Sequence, residues 1–236
     1  MIDLTRSEIL IGTENLNKLL QSTVAVFGLG GVGGYAAEAI ARAGVGTMII
    51  ADYDCVTPSN INRQILSLSS TMGELKTEAA MKRLKDINPE MNVVTISERL
   101  TPENISRLIP KDEYLYAIDA IDEIDSKTSL IAELVKKNIP FVSSMGAGSR
   151  LDSSKIKVDD ISRTEYCPLA RVMRKRLKAA GIETGVRCIY STENLNKVRE
   201  PETGTGKRMQ GSISFMPGIF GLMAAGLIIN DIINRI

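Results

Sequence analysis

Histidine and tryptophan are absent from the chain, and cysteine occurs only three times, at Cys55, Cys167 and Cys188. The lack of histidine excludes His-based catalytic triads, imidazole general bases and His-containing zinc sites. The cysteines are far apart and form no CxxC pair, which excludes a disulfide framework and a four-cysteine zinc site and favours a reducing cytosol. Four Phe and six Tyr leave few side chains for stacking on nucleic-acid bases.

Neither sign of charge is in excess, since 29 Lys and Arg against 28 Asp and Glu give a net charge of +1. Any nucleic-acid site must therefore come from local segregation of charge. The 236 residues suffice for one large α/β domain or two small ones, and 44% hydrophobic content is ordinary for a globular protein. The first ten residues lack the long apolar core of a secretory signal, so we expect a cytoplasmic protein.

Short apolar runs alternate with helix-like segments up to about residue 145. We predict strands at 23–27, 47–51, 91–97, 114–118 and 140–144, with helices between them at 31–43, 73–87, 103–109 and 126–137. Strands separated by helices are typical of a doubly wound, Rossmann-like and mostly parallel sheet.

The pattern changes after residue 146. Alternation over 149–160 predicts antiparallel strands at the sheet edge, followed by a basic helix at 168–180 and a strand at 185–190. The polar stretch 194–210 has no apolar period and is predicted to be a mobile loop. The stretch 212–236 has an unbroken apolar length below the roughly 20 residues of a membrane span, because Asn230 and Asp231 interrupt it. It predicts a core or subunit-interface helix and no stable membrane insertion.

A glycine-rich loop, Gly28-Leu29-Gly30-Gly31-Val32-Gly33, follows the first predicted strand and opens a helix. Missing β-carbons permit a tight turn and let phosphates approach backbone N–H groups at a helix N-terminus. Asp52 ends the next strand, where an acid accepts hydrogen bonds from ribose hydroxyls. These features predict a nucleotide site, and on their own they are compatible with a dinucleotide-binding oxidoreductase.

The segment after Asp52 favours a triphosphate. A polar loop, DYDCVTPSNINRQ, takes the place of the usual helix and carries Asn60 and Arg63, with Lys76 thirteen residues beyond Arg63. A guanidinium and an ammonium near one triphosphate neutralise the charge that develops as pyrophosphate leaves. The alternative is that Arg63 and Lys76 are ordinary surface charges.

Two acids, Asp119 and Asp122, follow the fourth predicted strand in the motif AIDAID. They are expected at the carboxyl edge of the sheet, where one of them can hold Mg²⁺, a cation that prefers carboxylate, water and phosphate oxygens. The structural alternative for Asp122 is a helix N-cap.

These motifs resemble the ubiquitin-activating-enzyme-like adenylating family of molybdopterin and thiamine biosynthesis, through GLGGVG, DYD, SNINRQ, the GELK lysine and AIDAID across residues 6–145. The resemblance implies ATP with Mg²⁺ and adenylation of a carboxylate. It implies catalytic roles for Arg63, Lys76, Asp122 as the magnesium ligand, and Arg6, which would reach the ATP site of the other subunit of a homodimer. The nucleotide-binding residues it implies are Gly28, Gly30, Gly31, Gly33, Asp52, Asp54, Asn60, Arg63, Lys76 and Asp119.

The C-terminal third resembles the tRNA threonylcarbamoyladenosine dehydratases, through the stretches 146–156, 160–177, 185–193 and 211–221. The resemblance implies one domain over 1–236, with an ATP-binding part at 1–145 and a part at 146–236 that faces the tRNA and forms the dimer. It implies carboxylate adenylation followed by ring closure that expels AMP, and a bound Na⁺ or K⁺. A sulfurtransferase or carrier protein as a further partner is left open.

Two other classes stay open beside it. One is an activating enzyme for a sulfur-carrier protein ending in Gly-Gly, although such enzymes usually carry two CxxC pairs. The other is a module that binds nucleotide without turnover, which the presence of Arg63, Lys76 and Asp122 disfavours.

The helix predicted at 168–180 has five basic residues among the eight from Arg171 to Lys178 and no acid. On a helix Arg171, Arg174, Lys175 and Lys178 share one face, which could follow the phosphate backbone of tRNA. The alternative is a solvated charged face. Cys188, in the strand predicted after this helix, is expected to be buried and inert.

Overall fold

One sheet of seven strands organises the chain in a computed structural model, which describes residues 2–110, 112–194 and 210–235. The strands are β1 (Thr23–Phe27), β2 (Thr47–Ala51), β3 (Asn92–Ile96), β4 (Leu115–Asp119), β5 (Phe141–Ser144), β6 (Ile156–Asp160) and β7 (Arg187–Ser191).

Helices flank both faces of this sheet. They are α1 (Thr5–Ile11), α2 (Thr13–Gln21), α3 (Gly33–Arg42), α4 (Lys76–Ile87), α5 (Ile105–Leu108), α6 (Ile124–Lys136), α7 (Pro168–Ala179) and α8 (Met216–Ile233). The strands and helices predicted from the sequence are present with boundaries that shift by a few residues, and the predicted fold class is confirmed.

The strand order is β3-β2-β1-β4-β5-β7-β6, and every pair except β6 with β7 is parallel. Of the antiparallel strands expected within 149–160 the structure forms one, β6, while β7 lies parallel to β5. Because β2 and β4 flank β1 on opposite sides, the chain reverses direction across the sheet at β1. Ligands of such sheets bind at the carboxyl ends of the two strands that meet at this reversal, here β1 and β4.

Apolar side chains fill both faces of the sheet. On one face α3 packs against α8, and the two helices come so close that a Cβ at Gly221 would lie 2.2 Å from the Val32 carbonyl oxygen. On the other face α6 and α7 cover a second cluster that includes Leu130, Met173 and Cys188. The burial predicted for Cys188 is confirmed.

Helix α8 has the length and apolar composition of a membrane span, but half of its residues are buried inside the protein. It contacts α3, α2 and β5, so the structure favours the predicted core helix. The loop predicted at 194–210 falls almost entirely outside the described residues.

Helices α1 and α2 were not predicted. Helix α2 buries Leu16 and Leu19, whereas α1 buries none of its residues and leaves Ile9 and Leu10 more than 80% exposed. A seven-residue helix without a buried face has no apolar period that sequence reasoning could detect.

Candidate functional site

A cavity of about 880 Å³ opens at the carboxyl ends of β1 and β4. It is lined by the glycine loop, the segment after β2, the segment after β4, and residues of the stretches 144–150, 167–169 and 210–212. It therefore joins the predicted nucleotide residues to residues from beyond position 145.

The four glycines predicted to bind the nucleotide differ in what surrounds them. Gly28 has a φ of 88°, and a Cβ at this position would lie 2.7 Å from the Ala120 carbonyl oxygen. A Cβ at Gly33 would lie 1.7 Å from the Gly28 carbonyl oxygen. A Cβ at Gly31 would lie 2.9 Å from Pro217 Cβ. Gly28, Gly30 and Gly31 all border the cavity, but only Gly30 of these has open space at its Cβ position. Gly28, Gly31 and Gly33 thus set the shape of the loop, and Gly30 leaves room for a ligand.

Asp52 is held at the end of β2 by two backbone donors. Its carboxylate accepts hydrogen bonds from Leu29 N at 2.7 Å and from Asp54 N at 2.9 Å. Burial raises the pKa of Asp52 above its ordinary 3.8, because the loss of solvent outweighs the lowering by Lys76 and the two N–H groups. The acid is therefore positioned at the cavity wall, where a ribose hydroxyl could donate to it.

Lys76 is buried at the first position of α4, with only 5% of its surface exposed. Its Nζ donates to Asp54 Oδ2 at 2.8 Å and lies 3.8 Å from Asp52 Oδ2. A buried ammonium that lines a cavity is stabilised by anions, so the alternative of an ordinary surface charge is wrong for Lys76. Asp54 lines the same cavity and is its ion-pair partner.

Asn60 and Arg63 lie on the loop that follows β2, and both line the cavity. The Asn60 side chain accepts a hydrogen bond from Thr57 N at 3.2 Å, which caps the short turn Pro58–Asn60. Arg63 donates to the Ser59 carbonyl at 2.8 Å and to Asn62 Oδ1 at 2.9 Å. Both Arg63 acceptors are neutral, which leaves its charge available to a bound anion.

The structure separates the two acids of AIDAID. Asp119 is completely buried, and its carboxylate pairs with Lys127 Nζ at 2.7 Å and accepts from Ser143 Oγ at 2.6 Å. It does not line the cavity, so the prediction that Asp119 contacts the nucleotide directly needs correction: its charge is already neutralised inside the protein. Asp122 is exposed and lines the cavity.

Several carboxylates line the cavity, and Asp122 is the one predicted to bind a magnesium ion. Among the residues described, no group of three or more His, Cys, Asp or Glu side chains is arranged to hold a metal ion. Asp122 at the cavity nevertheless fits Mg²⁺ bound with a nucleotide, because this ion usually takes one or two carboxylates, phosphate oxygens and water.

Arg6 lies on α1 and is not among the residues that line the cavity of its own chain. Its side chain is exposed, next to the exposed Ile9 and Leu10. The role of Arg6 at the ATP site of a partner subunit stays a prediction.

The basic face of α7 is smaller than predicted. Arg174 is half-buried, and its Nη1 donates to the carbonyl of Thr164 at 2.8 Å, to Thr164 Oγ1 at 2.6 Å and to the Ile161 carbonyl at 3.2 Å. Arg174 therefore uses its Nη1 to cap the turn before α7, and its contact with tRNA stays a prediction. Arg171, Lys175 and Lys178 remain exposed, although Lys178 lies 3.4 Å from Glu183.

Sequence reasoning missed two buried cations, Lys127 and Arg150. Lys127 lies one turn into α6, and a lysine that follows an acidic loop by a few residues was a signal that could have found it. Arg150 lines the cavity at 2% exposure, yet it stands in a polar stretch with no local feature that indicates burial. Burial also raises the pKa of the Cys188 thiol, which keeps that cysteine protonated.

Comparison with known proteins agrees with this geometry. The chain is 40% identical over 243 residues to a tRNA threonylcarbamoyladenosine dehydratase of Bacillus subtilis (strain 168), covering 98% of this chain and 95% of that one. It is 29% identical over 210 residues to a molybdopterin-synthase adenylyltransferase of Haemophilus influenzae, with 85% and 83% covered.

Among solved structures, that of the Escherichia coli tRNA N6-threonylcarbamoyladenosine dehydratase in complex with ATP matches with a TM-score of 0.88 and 33% identity, covering 97% of this chain and 93% of that one. The ThiF family model matches residues 4–235. The chain belongs to the ThiF family.

Proposed function

We propose that this protein is an ATP-dependent tRNA threonylcarbamoyladenosine dehydratase. The observation that carries the proposal is the single cavity in which the glycine loop, Asp52 and Lys76 meet residues 144–150 and 210–212. A nucleotide and an acyl substrate can therefore bind side by side. The near full-length similarity to dehydratases supplies the identity of that substrate.

The reaction takes two steps. The carboxylate of the threonylcarbamoyl group attacks the α-phosphorus of ATP, which forms an acyl-adenylate and releases pyrophosphate. A nucleophile within the same modified nucleoside then attacks the acyl carbon, closes a ring and expels AMP. The modified base loses one water overall, and intramolecular attack gains a large effective molarity without any enzyme thiol.

Each residue at the cavity has a role in ATP binding or in charge stabilisation that follows from its position. The backbone N–H groups of the glycine loop and the cations Arg63 and Lys76 bind the phosphates and stabilise the charge that develops on pyrophosphate. The buried Lys76 is placed for this by its ion pair with the exposed Asp54. Asp52 accepts from the ribose. Asp122 holds Mg²⁺, which supplies further charge neutralisation when it is bound with ATP.

We further propose the homodimer, the monovalent cation and the cytoplasmic location that the sequence analysis led us to expect. The protein acts as a homodimer in which Arg6 completes the partner's site, and the exposed Ile9 and Leu10 beside Arg6 support such a contact. A monovalent cation, Na⁺ or K⁺, accompanies the reaction. The three cysteines, which are free, fit a cytoplasmic location.

Activation of a sulfur-carrier protein is the second candidate, because the chain is also similar to a molybdopterin-synthase adenylyltransferase. It is the weaker one, since identity to that relative is lower and the sequence contains no CxxC pair.

The test is direct. Incubation of tRNA that carries threonylcarbamoyladenosine with the protein, ATP and Mg²⁺ should yield a nucleoside lighter by one water, detected by mass spectrometry, with AMP and pyrophosphate in equal amounts. Asp122→Asn should lower turnover at least about tenfold, whereas Asp125→Asn, on an exposed acid outside this cavity, should not. Wild-type protein that adenylates a Gly-Gly carrier peptide and leaves the tRNA unchanged would contradict the proposal.

A further inference from the structure

Arg150 lies in the loop that follows β5, on the wall of the cavity that the C-terminal part provides. Two contacts fix this loop in place. Ser149 N donates to the Gly211 carbonyl at 2.8 Å. The Gln210 side chain packs so closely against Gly148 that a Cβ at Gly148 would lie 2.7 Å from Gln210 Cδ. Ser149 has a φ of 58°, a conformation that non-glycine residues rarely adopt. The position of Arg150 is thus built by specific contacts.

The guanidinium of Arg150 is buried without a counter-charge. Only 2% of the residue is exposed, and its Nη2 donates to the Tyr166 carbonyl at 3.3 Å. Its Nε and Nη1 are buried and have no hydrogen-bond partner in the described part of the chain. Within residues 2–110, 112–194 and 210–235, no carboxylate lies within 4.0 Å of it.

A buried guanidinium without a counter-charge is stabilised when an anion binds to it. Burial of a charge is costly unless the charge is paired, and an arginine cannot escape the cost by losing its proton. The other buried cations among the described residues, Lys76 and Lys127, both have carboxylate partners. A planar guanidinium with unused donors on both edges of its fork matches a carboxylate or a phosphate.

We propose that Arg150 binds the carboxylate that is to be adenylated. This rests on the proposed function, in which the cavity receives two anionic ligands. The triphosphate already has Arg63 and Lys76, which belong to the segments next to the glycine loop. Arg150 donates to the Tyr166 carbonyl and belongs to the loop that Gly211 holds, so it lies on the side of the cavity formed by the C-terminal part. We therefore assign it to the carboxylate substrate and not to the triphosphate. Its role is to hold the carboxylate oxygens in place for attack on the α-phosphorus.

The experiment compares two anticodon stem-loop RNAs, one with the free carboxylate of threonylcarbamoyladenosine and one with its methyl ester. Binding is measured in the presence of an ATP analogue that cannot be cleaved between the α- and β-phosphates. Wild type should prefer the carboxylate by about tenfold or more, as expected for a hydrogen bond to a charged group. Arg150→Met should bind both RNAs equally and bind the ATP analogue as wild type does.

Arg163→Met is the matched control, because Arg163 is an exposed arginine of the same part that pairs with Asp159 and does not line the cavity. It should keep the wild-type preference. The inference is overturned if Arg150→Met keeps the preference, or if it loses affinity for the ATP analogue about tenfold, which would assign Arg150 to the triphosphate.

A merely structural role is distinguished by thermal unfolding without ligand. Because Arg150→Met removes an unpaired buried charge, it should unfold at the wild-type temperature or above, and a lower temperature would overturn the inference. If Arg150→Met does not fold, Arg150→Lys is measured in its place. Its preference for the carboxylate RNA over the methyl ester should be smaller than that of wild type but still present, and an unchanged preference would overturn the inference. Wild type that never converts the carboxylate RNA would refute the proposed function instead.

Discussion

Lys127 and Asp119 form an ion pair of 2.7 Å in which both side chains are completely buried, at the point where β4 ends. The same two residues fix the next turn of the chain. Asp119 Oδ1 accepts from Ile121 N at 3.1 Å, and Lys127 Nζ donates to the Ile121 carbonyl at 3.0 Å. Both sides of Ile121 are therefore held, and Asp122 follows directly at the cavity.

Loss of one partner of this pair should destabilise the protein strongly. Lys127→Met leaves Asp119 buried without a counter-charge, and we expect a loss of about 3–5 kcal/mol in the free energy of unfolding. The double variant Lys127→Met with Asp119→Leu should be more stable than Lys127→Met alone. Urea unfolding of the single and double variants checks this, and additive losses would contradict it.

The glycine loop provides a matched pair of variants. Gly33→Ala places a Cβ 1.7 Å from the Gly28 carbonyl oxygen and should cost about 3 kcal/mol or more of stability. Gly30→Ala has no atom nearer than Gln64 Nε2 at 3.9 Å, so it should fold normally and weaken ATP binding about tenfold by intruding on the cavity. Thermal unfolding and calorimetry with ATP separate the two effects. Equal stability of both variants would contradict the packing argument.

The sequence was sufficient to predict the sheet and the nucleotide half of the cavity, because glycines and acids at strand ends have fixed positions in a doubly wound fold. It could not decide which of Asp119 and Asp122 faces the cavity, since both lie at the end of β4 and only the ion pair with Lys127 of α6 shows that Asp119 is buried. Helical periodicity grouped Arg174 with Arg171, but the turn at 161–164 binds Arg174. Such assignments depend on contacts between segments that are distant in sequence.

Asp52 makes stability depend on pH in a definite direction. Burial raises its pKa above 3.8 in the folded chain, so the folded state disfavours the ionised form. The stabilising effect of the protonated group is complete below the unfolded pKa and is lost as pH rises through the folded pKa. Relative to Asp52→Asn, ATP-free wild type should therefore lose unfolding free energy as pH rises from about 3 to about 7.

Urea unfolding of both proteins at several pH values measures this difference. A constant difference, or one that grows in favour of wild type with rising pH, would show that Asp52 is not disfavoured as an anion.

Arg6 allows a test of the proposed dimer. If it acts in the partner's site, Arg6→Ala and Lys76→Ala are each inactive, but a mixed dimer contains one site in which both residues are intact. Mixing the two variants should therefore restore part of the activity, up to roughly one half per mixed dimer. Native mass spectrometry of tagged chains verifies exchange. Exchange without recovered activity would mean that Arg6 acts within its own chain.

Exposed charges on α7 should determine how strongly tRNA binding depends on salt. Arg171 and Lys175 are exposed, whereas Arg174 is half-buried and its Nη1 donates to Thr164 in the turn before the helix. Each lost phosphate contact should reduce the slope of log affinity against log salt by about 0.7–0.9, so replacing Arg171 and Lys175 with Gln should flatten it by roughly one to two. ATP affinity should not change, because neither residue lines the cavity.

Arg174→Gln is the control that separates charge from structure. It removes the Arg174 donor to the Thr164 carbonyl and one of the donors to the Ile161 carbonyl, so it should lower the free energy of unfolding by about 1–3 kcal/mol and leave the salt slope as in wild type. Filter binding or fluorescence anisotropy with tRNA at several salt concentrations measures both slopes. A solvated face without an RNA contact predicts the same slope for the double variant and wild type, and that result would move the tRNA surface away from α7.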